Sequence, residues 1–127
     1  MTDSELIGRT FNSVRAGKYG ISLEEFRQYL VDWELHRLVE GGSVVGVVMQ
    51  KGAEVHIAFF APRVASIRRH LRAHLGRVIS EFGAAETYVE HGNQKSMRFC
   101  IRLGFYPIGT CGRATRLRCQ KFKYGGA

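Results

Sequence analysis

The sequence predicts an α+β fold in which a mostly antiparallel central sheet is flanked by helices. Three observations predict it. Apolar residues recur at steps of three and four in the stretches 23–33 and 65–82, as amphipathic helices require. Between them lie three apolar or alternating stretches separated by short glycine-bearing turns, the economical way to join antiparallel strands. After Gly83 the chain reads as a short strand, a helix and a hairpin. A length of 127 residues, with 45% hydrophobic and 24% charged, suits one domain, 1–127, whose core needs no framework of disulfides or structural metal.

Taken in order, Leu6, Phe11 and Val14 have spacings compatible with a short early helix, which Gly17 and Gly20 would interrupt. The first element with a clear start begins at Ser22. Ser22 and Glu25 fit a capping box, Ile21 and Phe26 a hydrophobic staple, and Leu23, Phe26, Leu30 and Trp33 an apolar face, so a helix is predicted from about Leu23 to Trp33. Strands are predicted over 35–39, 44–50 and 54–61, joined at Gly41-Gly42 and Lys51-Gly52. Pro62 ends the third, since it cannot donate to a ladder and suits the entrance to a helix. The long helix over 65–82 places Ile67, Leu71, Leu75, Val78 and Phe82 on one face and leaves Arg68, Arg69, Arg72 and Arg77 for the polar side.

Thr87 to Glu90 follows as a strand, and His91-Gly92-Asn93 as a loop in which Asn93 can cap a helix over 94–103. Met97, Cys100 and Ile101 fall close to one face of that helix. Gly104 can stop it in a left-handed conformation while Phe105 turns into the core. Extended stretches over 105–110 and 115–122 close the chain around a turn near 112–114.

Charge is distributed unevenly. Nineteen Lys and Arg, 14 of them Arg, oppose 11 Asp and Glu, for a net charge of +8. Before Pro62 there are 6 basic and 8 acidic residues; after it there are 13 and 3, so all of the positive excess lies in the second half. That balance favours an anionic partner, whether a phosphate-bearing cofactor, an acidic protein or nucleic acid. No segment approaches the roughly 18 apolar residues that span a bilayer, and Met1 to Arg9 does not read as a signal peptide, so a cytoplasmic location without membrane association is expected. Cys100, Cys111 and Cys119 lack paired metal-ligand spacing, and an odd count favours reduced thiols. A hairpin could still set Cys111 opposite Cys119.

The element order and the segment Asn93 to Phe105 resemble the GCN5-related N-acetyltransferase family. Asn93, Ser96, Cys100 and Gly104-Phe105, with Met97, Arg98 and Phe99 between them, occupy the positions of that family's signature helix. The resemblance implies an acyl-CoA N-acyltransferase fold, acetyl-CoA as cofactor and acetyl transfer to a primary amine of a small molecule or protein. It places Asn93 beside the acyl-cofactor groove. It also implies that Phe60 and Ala61, at the end of the third strand, contact the cofactor, and that Arg63, Ser66, Arg68 and Arg69, at the start of the long helix, hold its phosphates. Here the stretch Arg63-Val64-Ala65-Ser66-Ile67-Arg68 has no glycine, where the family usually has two, so arginine charge and the Ser66 hydroxyl take the place of close backbone approach.

Cys100 stands where the family usually has the tyrosine that protonates the departing thiolate, with Tyr88 and Tyr106 as substitute donors. The acceptor amine must lose a proton before attack. Glu54 and His56, two apart on one strand face, are candidates for that task, His56 because imidazole titrates near neutral pH, and Glu90 and His91 are further candidates.

Two other functional classes fit the composition. An acyltransferase-like protein that binds a partner without catalysis is one, and some small proteins encoded by tailed phages resemble this broad family. A nucleic-acid-binding module is the other, with Arg113 to Lys123 on phosphates, although no recognition helix, zinc-finger spacing or RNA-binding sheet motif accompanies it.

Overall fold

The structure is a computed structural model that describes residues 1–14, 20–60 and 67–121, with the side chains of 67 and 68 outside the description. Its elements are α1 (Asp3–Ser13), α2 (Leu23–Tyr29) followed by a 3₁₀ turn (Leu30–Asp32), β1 (Glu34–Glu40), β2 (Ser43–Lys51), β3 (Glu54–Phe59), α3 (Ile67–Phe82), β4 (Ala85–Glu90), α4 (Gln94–Leu103), β5 (Tyr106–Cys111) and β6 (Ala114–Cys119). The strands hydrogen-bond in the order β1-β2-β3-β4-β6-β5, a mixed sheet in which β3 and β4 are parallel. The chain divides into two compact units, Met1–Lys51 with His56–Ala65, and Gly52–Val55 with Ser66–Ala127. No helix among the described residues is long and apolar enough to cross a membrane.

In the first unit, α1 starts earlier than its apolar spacing suggests. Thr2 caps it by accepting from the Glu5 backbone N–H at 3.1 Å, and Leu6 and Thr10 are its buried positions. The Ser22–Glu25 capping box is present in both directions, at 3.1 Å each way. The helix it starts is shorter than predicted. After Tyr29 the backbone tightens into the 3₁₀ turn, and Trp33 is already extended. Residues three apart eclipse in such a turn, and Leu30 and Trp33 are accordingly both buried.

These two join Leu6, Val47, Met49 and Ala58 in one apolar cluster, against which Phe26, Leu35 and Phe60 pack. The β1–β2 turn uses Gly41 and Gly42 with φ of 56° and 80°, the positive values a tight hairpin demands of both central residues. The ladder between these strands slips at Leu38/Val39, leaving Val45 unpaired with β1. Its carbonyl accepts instead from the Phe60 N–H at 2.8 Å.

The second unit contains the start of β3, where Glu54 lies opposite Glu86 in parallel register, and the antiparallel trio β4, β6 and β5. The strand at β4 begins two residues before its prediction because Ala85, Thr87 and Val89 alternate inward from the outset. On α3 the inward stripe is Leu71, His74, Leu75 and Val78; Phe82, predicted on that face, is 45% exposed. On α4, Leu103 is buried and Ile101, predicted inward, is 47% exposed. Gly104, at φ 112°, ends this helix, and the Phe105 N–H reaches back to the Cys100 carbonyl at 3.0 Å, so Phe105 turns into the interior as expected.

The hairpin does not bring Cys111 and Cys119 together. Cys111 pairs with Ala114 and Cys119 with Ala85, and all three cysteines are free. β5 is the last strand in the order; it carries Pro107, and its register shifts between Pro107 and Gly109.

Gly46 on β2 marks the tightest approach in the first unit. A Cβ placed there would lie 2.6 Å from the Ala58 carbonyl oxygen and 3.1 Å from the Phe59 ring. Because the first of these is backbone, it cannot rotate away. Gly46→Ala is expected to destabilise the protein by about 1–3 kcal/mol through overpacking, read as a lowered midpoint in thermal or urea unfolding.

Candidate active site

Of the candidate catalytic residues, His56 is the one that lines a described recess. It lies on β3 in the first unit and lines a recess of about 220 Å³ whose other walls include Phe26, Tyr29, Leu30, Trp33 and Met49. The recess exists because the 3₁₀ turn presents Leu30 and Trp33 inward while Tyr29, 61% exposed, stays at the rim. Trp33 is the hub. Its ring centroid is 5.7 Å from that of Tyr29 and 5.5 Å from that of His56, at interplanar angles of 31° and 48°. Among the described residues lining the recess, His56 is the one imidazole, and there is no carboxylate.

The sequence reading had Phe26, Leu30 and Trp33 as core. They are core, but their outer edges also form the recess wall. The available signal was the density of aromatic residues at 26, 29 and 33.

A second, shallower recess in this unit, of about 310 Å³, is lined by Arg9, Asn12, Ser13, Phe59 and Phe60. The Arg9 guanidinium lies 4.7 Å above the Phe60 ring, and the Ser13 hydroxyl donates to the Phe59 carbonyl at 3.0 Å. Phe60, proposed from the resemblance as a cofactor contact, is thus covered by a cation on one side.

In the second unit, the Asn93 Oδ1 accepts from the Ser96 N–H at 3.2 Å and so caps α4. Cys100, one turn further along that helix, is partly buried, and burial pushes its thiol up to about 11. It therefore remains protonated throughout the neutral range, which makes it a poor nucleophile. The Tyr106 hydroxyl donates to the Gln120 Oε1 at 2.7 Å. Arg69 is exposed in the first turn of α3, where no carboxylate occurs. Ala61, Arg63 and Ser66 lie outside the described residues, as does the side chain of Arg68.

Glu86, which sequence reasoning missed, holds two arginines at once. Its two oxygens receive Arg116 Nη2 at 2.5 Å and both Nε and Nη2 of Arg118 at 2.9 Å. The two arginines alternate along β6, facing Glu86 from the neighbouring strand. The Arg116 hydrogen bond, joined by that of Arg118 and the charge of both, holds the carboxyl below its usual range against the opposing effect of burial. Parallel register sets Glu54 opposite Glu86.

No family model matches the sequence, and no curated protein does. Solved structures do. The chain is similar to the PaiA N-acetyltransferase of Thermoplasma acidophilum, solved in complex with coenzyme A, with a TM-score of 0.65 and 16% identity over 94% of this chain and 93% of that one. It is similar to PH1933 of Pyrococcus horikoshii, with a TM-score of 0.65 and 15% identity over 95% and 94%. It is also similar to the apo form of YjaB from Escherichia coli, with a TM-score of 0.54 and 21% identity over 90% and 86%. Together with the mixed sheet and its flanking helices, these likenesses define a distant, divergent fold of the GCN5-related N-acetyltransferase type.

Two titrations follow. Because Glu86 has a lowered pKa, its contribution to stability is present above the ordinary carboxyl value of 4.5 and is lost as pH falls through the lowered one. Glu86→Gln is expected to cost about 1–2 kcal/mol at neutral pH, a difference that disappears in acid; urea unfolding across pH measures it. Cys100 has the opposite sign. Stability is full below its ordinary 9.0 and falls as pH rises towards about 11, because only the unfolded thiol ionises in that window. Cys100→Ser should remove that part of the alkaline decline.

Proposed function

We propose that this chain is an acetyl-CoA-dependent N-acetyltransferase that acts on a primary amine, with His56 as general base. The observation that supports it best is the placement of His56 in an apolar aromatic recess on a chain whose fold is that of N-acetyltransferases. When bound, acetyl-CoA would supply an acyl group already activated as a thioester. The donor chemistry of this chain fits such a ligand: the first turn of α3 carries exposed Arg69 and no carboxylate, as a site for phosphate groups needs. Arg63, Ser66 and Arg68 belong to the same proposed anion-binding stretch, and Phe60, Ala61 and Asn93 to its borders.

An alkylammonium cannot attack; its nitrogen lone pair holds a proton. His56 accepts that proton, and the apolar walls lower its cost by disfavouring the charged amine. With acetyl-CoA bound, a residue of this chain would have to supply the proton that its released thiol carries away. Cys100 is the proposed donor, because it stands at the position of the tyrosine usual in the family it resembles. Tyr106 is the alternative donor, with its hydroxyl already engaged by Gln120. Glu54 is the alternative base.

His56→Gln is expected to lower kcat/KM by about 10²–10⁴-fold and to abolish the rise in rate through the pH range where imidazoles lose their proton. Thiol release from acetyl-CoA measures both. Glu54→Gln retaining that rise would assign it to His56, whereas an unchanged rate and profile in His56→Gln would remove His56 from the reaction. Calorimetric titration with CoA and its dephosphorylated form tests the cofactor independently, and failure to bind either at millimolar concentration overturns the acyltransferase reading.

A further inference from the structure

Resting on that reading, we infer that the acceptor is a small monoamine with an aromatic body, seated in the His56 recess of the first unit. Size, wall chemistry and charge each point there. The recess, at about 220 Å³, is below the roughly 300–1,000 Å³ of sites for drug-sized ligands, so its occupant is a small molecule and not a folded surface. Its floor is buried and apolar, with Leu30 5%, Met49 5% and Trp33 9% exposed. Its rim is Tyr29 and Val14, 61% and 38% exposed. A ring entering between Phe26, Tyr29 and Trp33 gains apolar burial and the edge or offset contacts that aromatic groups prefer.

Charge selects further. A diamine or triamine keeps a second ammonium after the first has lost its proton, and that remaining charge needs a carboxylate or open water. Among the described residues that line the recess there is neither Asp nor Glu. A single ammonium meets the aromatic faces of Phe26, Tyr29 and Trp33, which attract a cation, beside apolar Val14, Leu30 and Met49, and His56 removes its proton. Substrate choice and activation thus come from one set of side chains.

Trp33, the sole tryptophan of the chain, reports occupancy without any turnover. The full-length protein is titrated with 2-phenylethylamine, ethylamine and spermidine under selective tryptophan excitation. Phenylethylamine should change the Trp33 emission saturably, at a half-saturation about 30-fold below that of ethylamine, as burial of one ring implies; spermidine should give no saturable change. Tyr29→Ala, at an exposed rim position, should weaken phenylethylamine binding about five-fold. Absence of a saturable response to phenylethylamine, or equal responses to all three amines, overturns the inference. Acetylation of the same amines separates the two claims. Turnover of spermidine or ethylamine without phenylethylamine binding overturns the substrate class and leaves acyl transfer standing. Selective binding with no acetylation of any amine overturns acyl transfer and leaves the recess selective.

Discussion

The packing of Trp33 organises the first unit. It belongs to the apolar cluster and also lines the recess, and it holds this double position because a 3₁₀ turn ends α2 one residue before β1 begins. Were α2 to continue as a regular helix through Trp33, Leu30 and Trp33 would be offset by about 100° per residue and not eclipsed, and the wall facing His56 would be lost. The core contact and the candidate chemistry therefore share a side chain. Substitution of Trp33 itself would confound stability with binding, which makes exposed Tyr29 the more informative neighbour.

What was legible in the sequence was local. The capping box at Ser22, the glycine pair at 41–42 and the stop at Gly104 each depend on a few consecutive residues, and each is present as read. The misplacements occurred where an element's environment overrode its pattern. His74 takes an inward position on α3 that apolar counting gave to Phe82, with its Nδ1 3.4 Å from Arg77 Nη2. The start of α1 was missed because the Thr2–Glu5 cap precedes a weakly apolar stretch.

The candidate site divides along the same line. His56 was a candidate from its type and strand position, and Asn93 and Cys100 from the resemblance of their helix; the structure describes the setting of each. Their partners were not. Tyr29 and Trp33 meet His56 only once β3 has returned beside β2, and Glu86 meets Arg116 and Arg118 only because β6 inserts between β4 and β5. That insertion is a non-sequential neighbour relation, which no reading of periodicity supplies. The dense arginine content of the last hairpin, first taken as a surface for an anionic partner, is in part internal to the fold: two of its guanidiniums are occupied by Glu86.

The same insertion leaves β5 with one flank on which no described strand pairs. A strand end of that kind offers a row of backbone groups to any passing chain, and a basic protein at high concentration in a cell would be exposed to fibril growth through it. Pro107 removes one donor from the row, and the shift in register by Gly109 breaks its regular spacing. The flaws in this ladder thus act as a guard against self-templating, and restoring it to ideal geometry would trade local regularity for a propensity to aggregate.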